Sequence, residues 1–182
     1  LDLIEQLTEG INLDKNKISE LYVKSNGNPF FIEEWINLLR DSQSSDSIDV
    51  SRELTEEYNI PNTLNSLILS RIDALEKDLK TLLQKATIIG EEFFIKILSL
   101  LESKLGFSEN VSEPVHELEV ENFIHHYLKE LDRYRFKHIL TRDVAYSTIL
   151  KSNKKILHKA VGDVIEENFN DILEKFYYDL AV

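Results

Sequence analysis

Apolar residues recur at helical spacing along most of the chain, and the stripes they draw predict a mainly helical protein. Over 14–24, Ile18, Leu21 and Tyr22 share one face, and Asn26-Gly27 supplies a left-handed stop. Asn28 is placed to cap a second helix. Pro29 suits its first position, where a missing N–H would be unpaired anyway, and Glu33 and Glu34 lie near the positive end of the helix dipole. The body, Phe30 to Arg40, carries Phe31, Trp35, Leu38 and Leu39, and Trp35 and the Phe30-Phe31 pair read as core. From Ser42 to Ser51 the chain turns Ser/Asp-rich without periodicity and reads as a solvated linker.

A new helical block is predicted from Pro61, where Leu64, Leu67, Ile68, Ile72 and Leu75 build one stripe. Leu79, Leu82, Leu83, Ala86 and Ile89 define the next helix, ended by Gly90, and Phe94, Ile97, Leu98 and Leu101 a shorter third. Residues 106–114 read as a loop, and 115–121 as one or two helical turns. The period then changes. Residues 123–128 and 134–137 are rich in aromatic and β-branched side chains around Asp132-Arg133, which predicts a small hairpin. Helices flanking a hairpin suggest a winged helix. Period 2 on the second strand places Tyr134, Phe136 and His138 on one face, with Arg135 and Lys137 on the other. Leu140, Val144, Ala145 and Ile149 mark another helix, and Ser152 caps one carrying Leu157, Ala160, Val161, Val164 and Ile165. A last helix is predicted over 171–182.

Composition narrows the function classes. The 182 residues carry 33 acidic and 21 basic side chains, and a net charge of −12 opposes attraction to phosphate backbones, so nucleic acid is a poor first partner. There is no Cys, which removes disulfides, thiolate metal sites and cysteine nucleophiles and makes the cytoplasm the default compartment. No apolar run approaches a membrane span, and no charged-then-apolar leader opens the chain. The absence of Met, position 1 included, gives the sequence the look of a piece of a longer protein.

Candidate chemistry is sparse. His125 and His126 are neighbours on a strand and face opposite ways, which argues against shared metal ligation. Asp73 with Arg71, and Asp143 with Arg142, read as surface charges or local pairs, and no catalytic constellation is visible. The cluster Lys151, Lys154, Lys155, His158 and Lys159 reads as a solvated basic face.

Five blocks in order carry a resemblance: SNGNPFFIEEWINLL at 25–39, IPNTLNSLILSRIDAL at 60–75, LLQKATIIGEEF at 82–93, YRFKHILTRDVAYSTIL at 134–150 and ILHKAVGDVIE at 156–166. Together they resemble the signal-transduction ATPases of the STAND class, in the form found in bacterial multidomain adenylate/guanylate cyclases and related regulators. The likeness runs over roughly 13–182.

What the resemblance implies is the end of an ATPase helical lid over 1–41, a linker over 42–60, a winged-helix domain over 61–150 and the start of tetratricopeptide-like helices over 151–182. The family's Gly-x-Pro turn is matched by Gly27-Asn28-Pro29, with Pro29 expected against the adenine ring. His138, in Phe-Lys-His, matches the histidine that contacts the nucleotide's β-phosphate in the resting state. A departure falls at 152–158, where Lys154 and Lys155 precede Leu157-His158 in place of the family's Arg. The chain itself has no Gly-x-x-x-x-Gly-Lys-Ser/Thr, so it is expected to be non-catalytic and to need no cofactor, with ATP/ADP and magnesium held by a P-loop core elsewhere in a longer protein. Other partners are expected through the C-terminal helices. The rival readings are a DNA-binding winged helix of a transcription regulator and a helical interaction module with no nucleotide role.

Overall fold

A computed structural model describes residues 15–43, 62–128 and 132–169. The side chain of Leu39, residues 44–61 with most of the expected linker and Pro61, and the expected helix over 171–182 lie outside the described residues. The chain is mainly helical, with one small three-stranded antiparallel sheet. Its contacts divide it into two compact units, Leu1–Leu75 and Glu76–Val182.

The first unit contains α1 (Lys15–Ser25), α2 (Pro29–Gln43) and α3 (Leu64–Ala74). The turn between α1 and α2 follows from its residues: Asn26 and Gly27 adopt φ values of 48° and 74°, the left-handed region that ends a helix at little cost where glycine stands. Asn28 Oδ1 then accepts the Phe30 N–H at 3.0 Å, so Asn28 caps α2 as its type and position predict. At α3, Thr63 and Ser66 bond reciprocally in a capping box. Leu21, Phe31, Ile32, Trp35, Ile36 and Leu67 form the core. By its contacts α3 belongs with α2, whereas the sequence grouped it with the segment that follows.

Within that core lies a charged pair. Arg71 Nη1 bonds Glu34 Oε2 at 2.8 Å, and the two side chains are 1% and 3% exposed. The expectation of a surface charge at Arg71 is therefore corrected. Arg71 falls on the apolar stripe of α3 and Glu34 on that of α2, so the packing of the two helices buries both. Asp73, one residue off the stripe, is exposed.

The second unit runs α4 (Lys77–Ile89), β1 (Glu92–Phe94), α5 (Ile95–Lys104), α6 (Ser112–Val120), β2 (Ile124–Leu128), β3 (Arg133–Phe136), α7 (Ile139–Ser147) and α8 (Lys151–Asn168). Gly106, at φ 82°, ends α5. The strand order is β1-β3-β2, both pairs antiparallel. The hairpin register sets Ile124 opposite Phe136 and His126 opposite Tyr134, with a bulge between His126 and Leu128. One face of the sheet is buried through Phe93, Ile124, Tyr134 and Phe136. Phe93 lies 6.0 Å from both the Tyr134 and Phe136 rings, and His126 stacks on Tyr134 at 4.0 Å. Burial pushes the Tyr134 phenol above its ordinary value, helped by Glu119 and Asp132. The opposite face carries Glu92 bonded to Arg133 and Arg135, whose guanidinium lies 3.7 Å from the Tyr127 ring.

Helix α8 is part of this unit. Ala160 and Val161 join Ile88, Leu101 and Ile149 in a second core, and Lys104 on α5 reaches Glu167 at 2.7 Å. Among the described residues no helix is long and apolar enough to cross a membrane.

Candidate functional site

Gly27 and Pro29 sit together at the α1–α2 turn of the first unit, both exposed. The turn is built by the left-handed pair and the Asn28 cap, so the Pro29 ring is held at the solvent end of α2 by backbone geometry. That presents a rigid apolar edge of the kind that can lie against a planar heterocycle.

His138 belongs to the second unit and differs from its sequence expectation in one respect. Strand β3 ends at Phe136, so period 2 no longer governs residue 138, and His138 is exposed while Tyr134 and Phe136 are buried. The chain turns there into α7 with His138 as the N-cap at φ −143°, and its Nδ1 accepts the Leu140 N–H at 3.1 Å. This bond has a chemical consequence. A neutral imidazole with Nδ1 accepting carries its proton on Nε2, so the ring is fixed as an Nε2–H donor at the junction between β3 and α7. His138→Ala should cost about 1 kcal/mol through loss of the cap, and His138→Asn should recover most of it. Urea denaturation of the three proteins checks this.

Just beyond His138, Arg142 donates to the Thr87 carbonyl in the last turn of α4 at 3.2 Å and to Asp143 at 3.0 Å. Asp143 with Arg142 is thus a local pair, as expected, and Arg142 also ties α7 to α4. The basic cluster divides in two. Lys151, Lys155 and Lys159 are exposed. Lys154 lies 4.0 Å over the Tyr146 ring, and His158 Nε2 is 3.0 Å from the Tyr146 hydroxyl. A cation–π contact is met by an ammonium as well as by a guanidinium, so Lys at this place keeps the packing of α8 on α7. Tyr146 was not singled out in the sequence, although its spacing from Arg142 along α7 places both on one face.

The charge of the helices matters for the DNA-binding alternative. Helix α6 precedes the hairpin and carries Glu113, Glu117 and Glu119 with no Lys or Arg, and α7 offers Arg142 beside Asp143. Neither presents the donor set that reads base edges. His125 and His126 do face opposite ways: His126 packs on Tyr134, and His125 stands across from Arg135. Among the described residues no group of three or more His, Asp or Glu is placed to hold a metal ion.

Comparison of the chain with known protein families, with curated proteins and with solved structures finds no match.

Proposed function

We propose that the chain is the regulatory, non-catalytic portion of a STAND-type signalling ATPase, in which it couples the state of a bound nucleotide to domain opening. The second unit is assigned as a winged helix. The order α4-β1-α5-α6-β2-β3 with strand order β1-β3-β2 supports this, since it gives three helices and a short strand that pairs with a hairpin in one sheet. The region before it would be the end of the ATPase lid, and α8 would lead into tetratricopeptide-like helices.

The observation that carries the reading is the placement of His138 at the foot of β3, where its cap bond makes Nε2 the donor. A phosphate oxygen is the acceptor such a donor suits, and the bond is charge-assisted. Pro29 would lie against the adenine. In this reading Pro29 would serve the base and His138 the phosphates, while the phosphate cradle and magnesium site would come from a P-loop core in a longer protein, whose chemistry would be ATP hydrolysis. With ADP bound, His138 would hold the winged helix closed. Exchange for ATP would favour an open form that engages partners or an effector such as a nucleotide cyclase.

The test uses the longer protein and two substitutions. A hydrogen bond to a charged group contributes roughly 1.5–3 kcal/mol, so His138→Ala should speed ADP release on the order of tenfold to a hundredfold and raise basal output. His138→Asn keeps the cap but not the imidazole, and should release ADP nearly as fast. If Asn restores full ADP retention, the histidine only caps a helix and the sensing role is lost.

A further inference from the structure

A cavity in the second unit lies between the start of α4, the loop after α5 and helix α6, with a volume of about 310 Å³. Leu79, Leu82, Val111, Pro114 and the Phe107 ring give it apolar walls. At its base Lys85 and Glu102, 6% and 8% exposed in their side chains, form an ion pair that the sequence did not foretell. Lys85 Nζ donates to Glu102 Oε2 at 2.9 Å and also stands 3.8 Å over the Phe107 ring. Its charge is therefore satisfied within the protein. Glu102 Oε1 lies 2.7 Å from the same ammonium, but receives no hydrogen bond although buried.

The remaining charges that line the cavity are of one sign. Glu76 and Asp78 come from the start of α4, and Glu117 comes from α6. Glu76, the N-cap residue, and Asp78 have an ordinary reason to be there, since a carboxylate favours the N-terminal end of a helix. Glu117 does not share that reason. Exposed carboxylates from two elements around an apolar cleft repel one another, and a cation between them relieves the repulsion.

We infer that this cleft docks a basic segment of a partner protein by taking in an arginine side chain. The methylene stem packs on Leu79, Leu82 and Pro114, the guanidinium spans the carboxylates of Asp78 and Glu117, and the plane of Phe107 supports its delocalised charge. The basis is charge complementarity: three carboxylates, Glu76, Asp78 and Glu117, line the site beside the mutually neutralised Lys85–Glu102 pair. Helix α6, which carries Glu117, holds no basic residue but His116, and so repels nucleic acid and favours a basic protein.

The test is NMR titration of the full 182-residue chain with acetyl-Leu-Arg-Leu-amide, and with the same peptide carrying citrulline, which keeps the shape and removes the charge. The arginine peptide should give saturable shifts confined to amides of 76–82 and 102–117, and the citrulline peptide should give none. Asp78→Lys with Glu117→Lys should weaken binding about tenfold, because each exposed attraction becomes a repulsion. The exposed control pair Glu91→Lys with Glu166→Lys should leave it unchanged. Equal weakening by the control pair would mean diffuse attraction to an acidic protein and overturn the proposal. Equal binding of the citrulline peptide, or no saturable shift, would overturn it as well.

Discussion

Arg71→Ala should destabilise the first unit by about 3–5 kcal/mol, because it removes the guanidinium that bonds the buried Glu34 carboxylate. The pair is held by α2 and α3 with side chains 1% and 3% exposed, so the carboxylate loses a charged neighbour where solvent screening is weak. Trp35 is the only tryptophan in the chain and is buried in the same unit, so its fluorescence in a urea titration reports this unit. The double change Arg71→Met with Glu34→Leu should be far milder, since two apolar side chains of similar reach fill the space without a charge to bury. A loss below about 1 kcal/mol for Arg71→Ala would mean that the pair is solvated, and the packing of α2 on α3 would need another account.

In the second unit the largest effect is expected at Phe93. It stands in the middle of the three-residue strand β1, is 1% exposed, and joins Tyr134 and Phe136 beneath the sheet. Phe93→Ala removes a fully buried aromatic and should cost about 3–5 kcal/mol. That ring is the one buried side chain of the strand, so it carries the apolar part of the strand's packing. Its loss should therefore appear as faster amide exchange along β1 and β3, including the Phe136 N–H that bonds the Glu91 carbonyl at 3.0 Å. Tyr127→Ala on the outer face removes a ring that is 42% exposed and should cost well under half as much. Equal losses at the two sites would contradict the assignment of the sheet's buried side.

The helices were legible because their apolar stripes are long and their stops are chemical. Asn26-Gly27 and the Asn28-Pro29 start appear in the structure as read. Strand β1 was not legible, for three residues cannot display a period, and Phe94 was absorbed into the stripe of α5. The two buried ion pairs were missed for a different reason. Arg71 was judged by residue type and Lys85 was not singled out, yet they stand three residues after Ile68 and Leu82 on their apolar stripes, as Glu34 stands three after Phe31 and Glu102 four after Leu98. Position in the stripe was the signal, and it outweighs charge once both partners are buried together. His138 was misplaced by carrying the strand period two residues past the strand's end.

In the proposed function the α1–α2 turn and the foot of β3 each respond to nucleotide. Hydrogen exchange on a longer protein carrying the proposed P-loop core measures both at once. With ADP bound, the amides of Asn28, Phe30 and Leu140 should exchange more slowly than without nucleotide, and an ATP analogue should release the Leu140 protection while keeping that at Phe30. Exchange at Phe30 and Leu140 indifferent to ADP would contradict the nucleotide-coupled function.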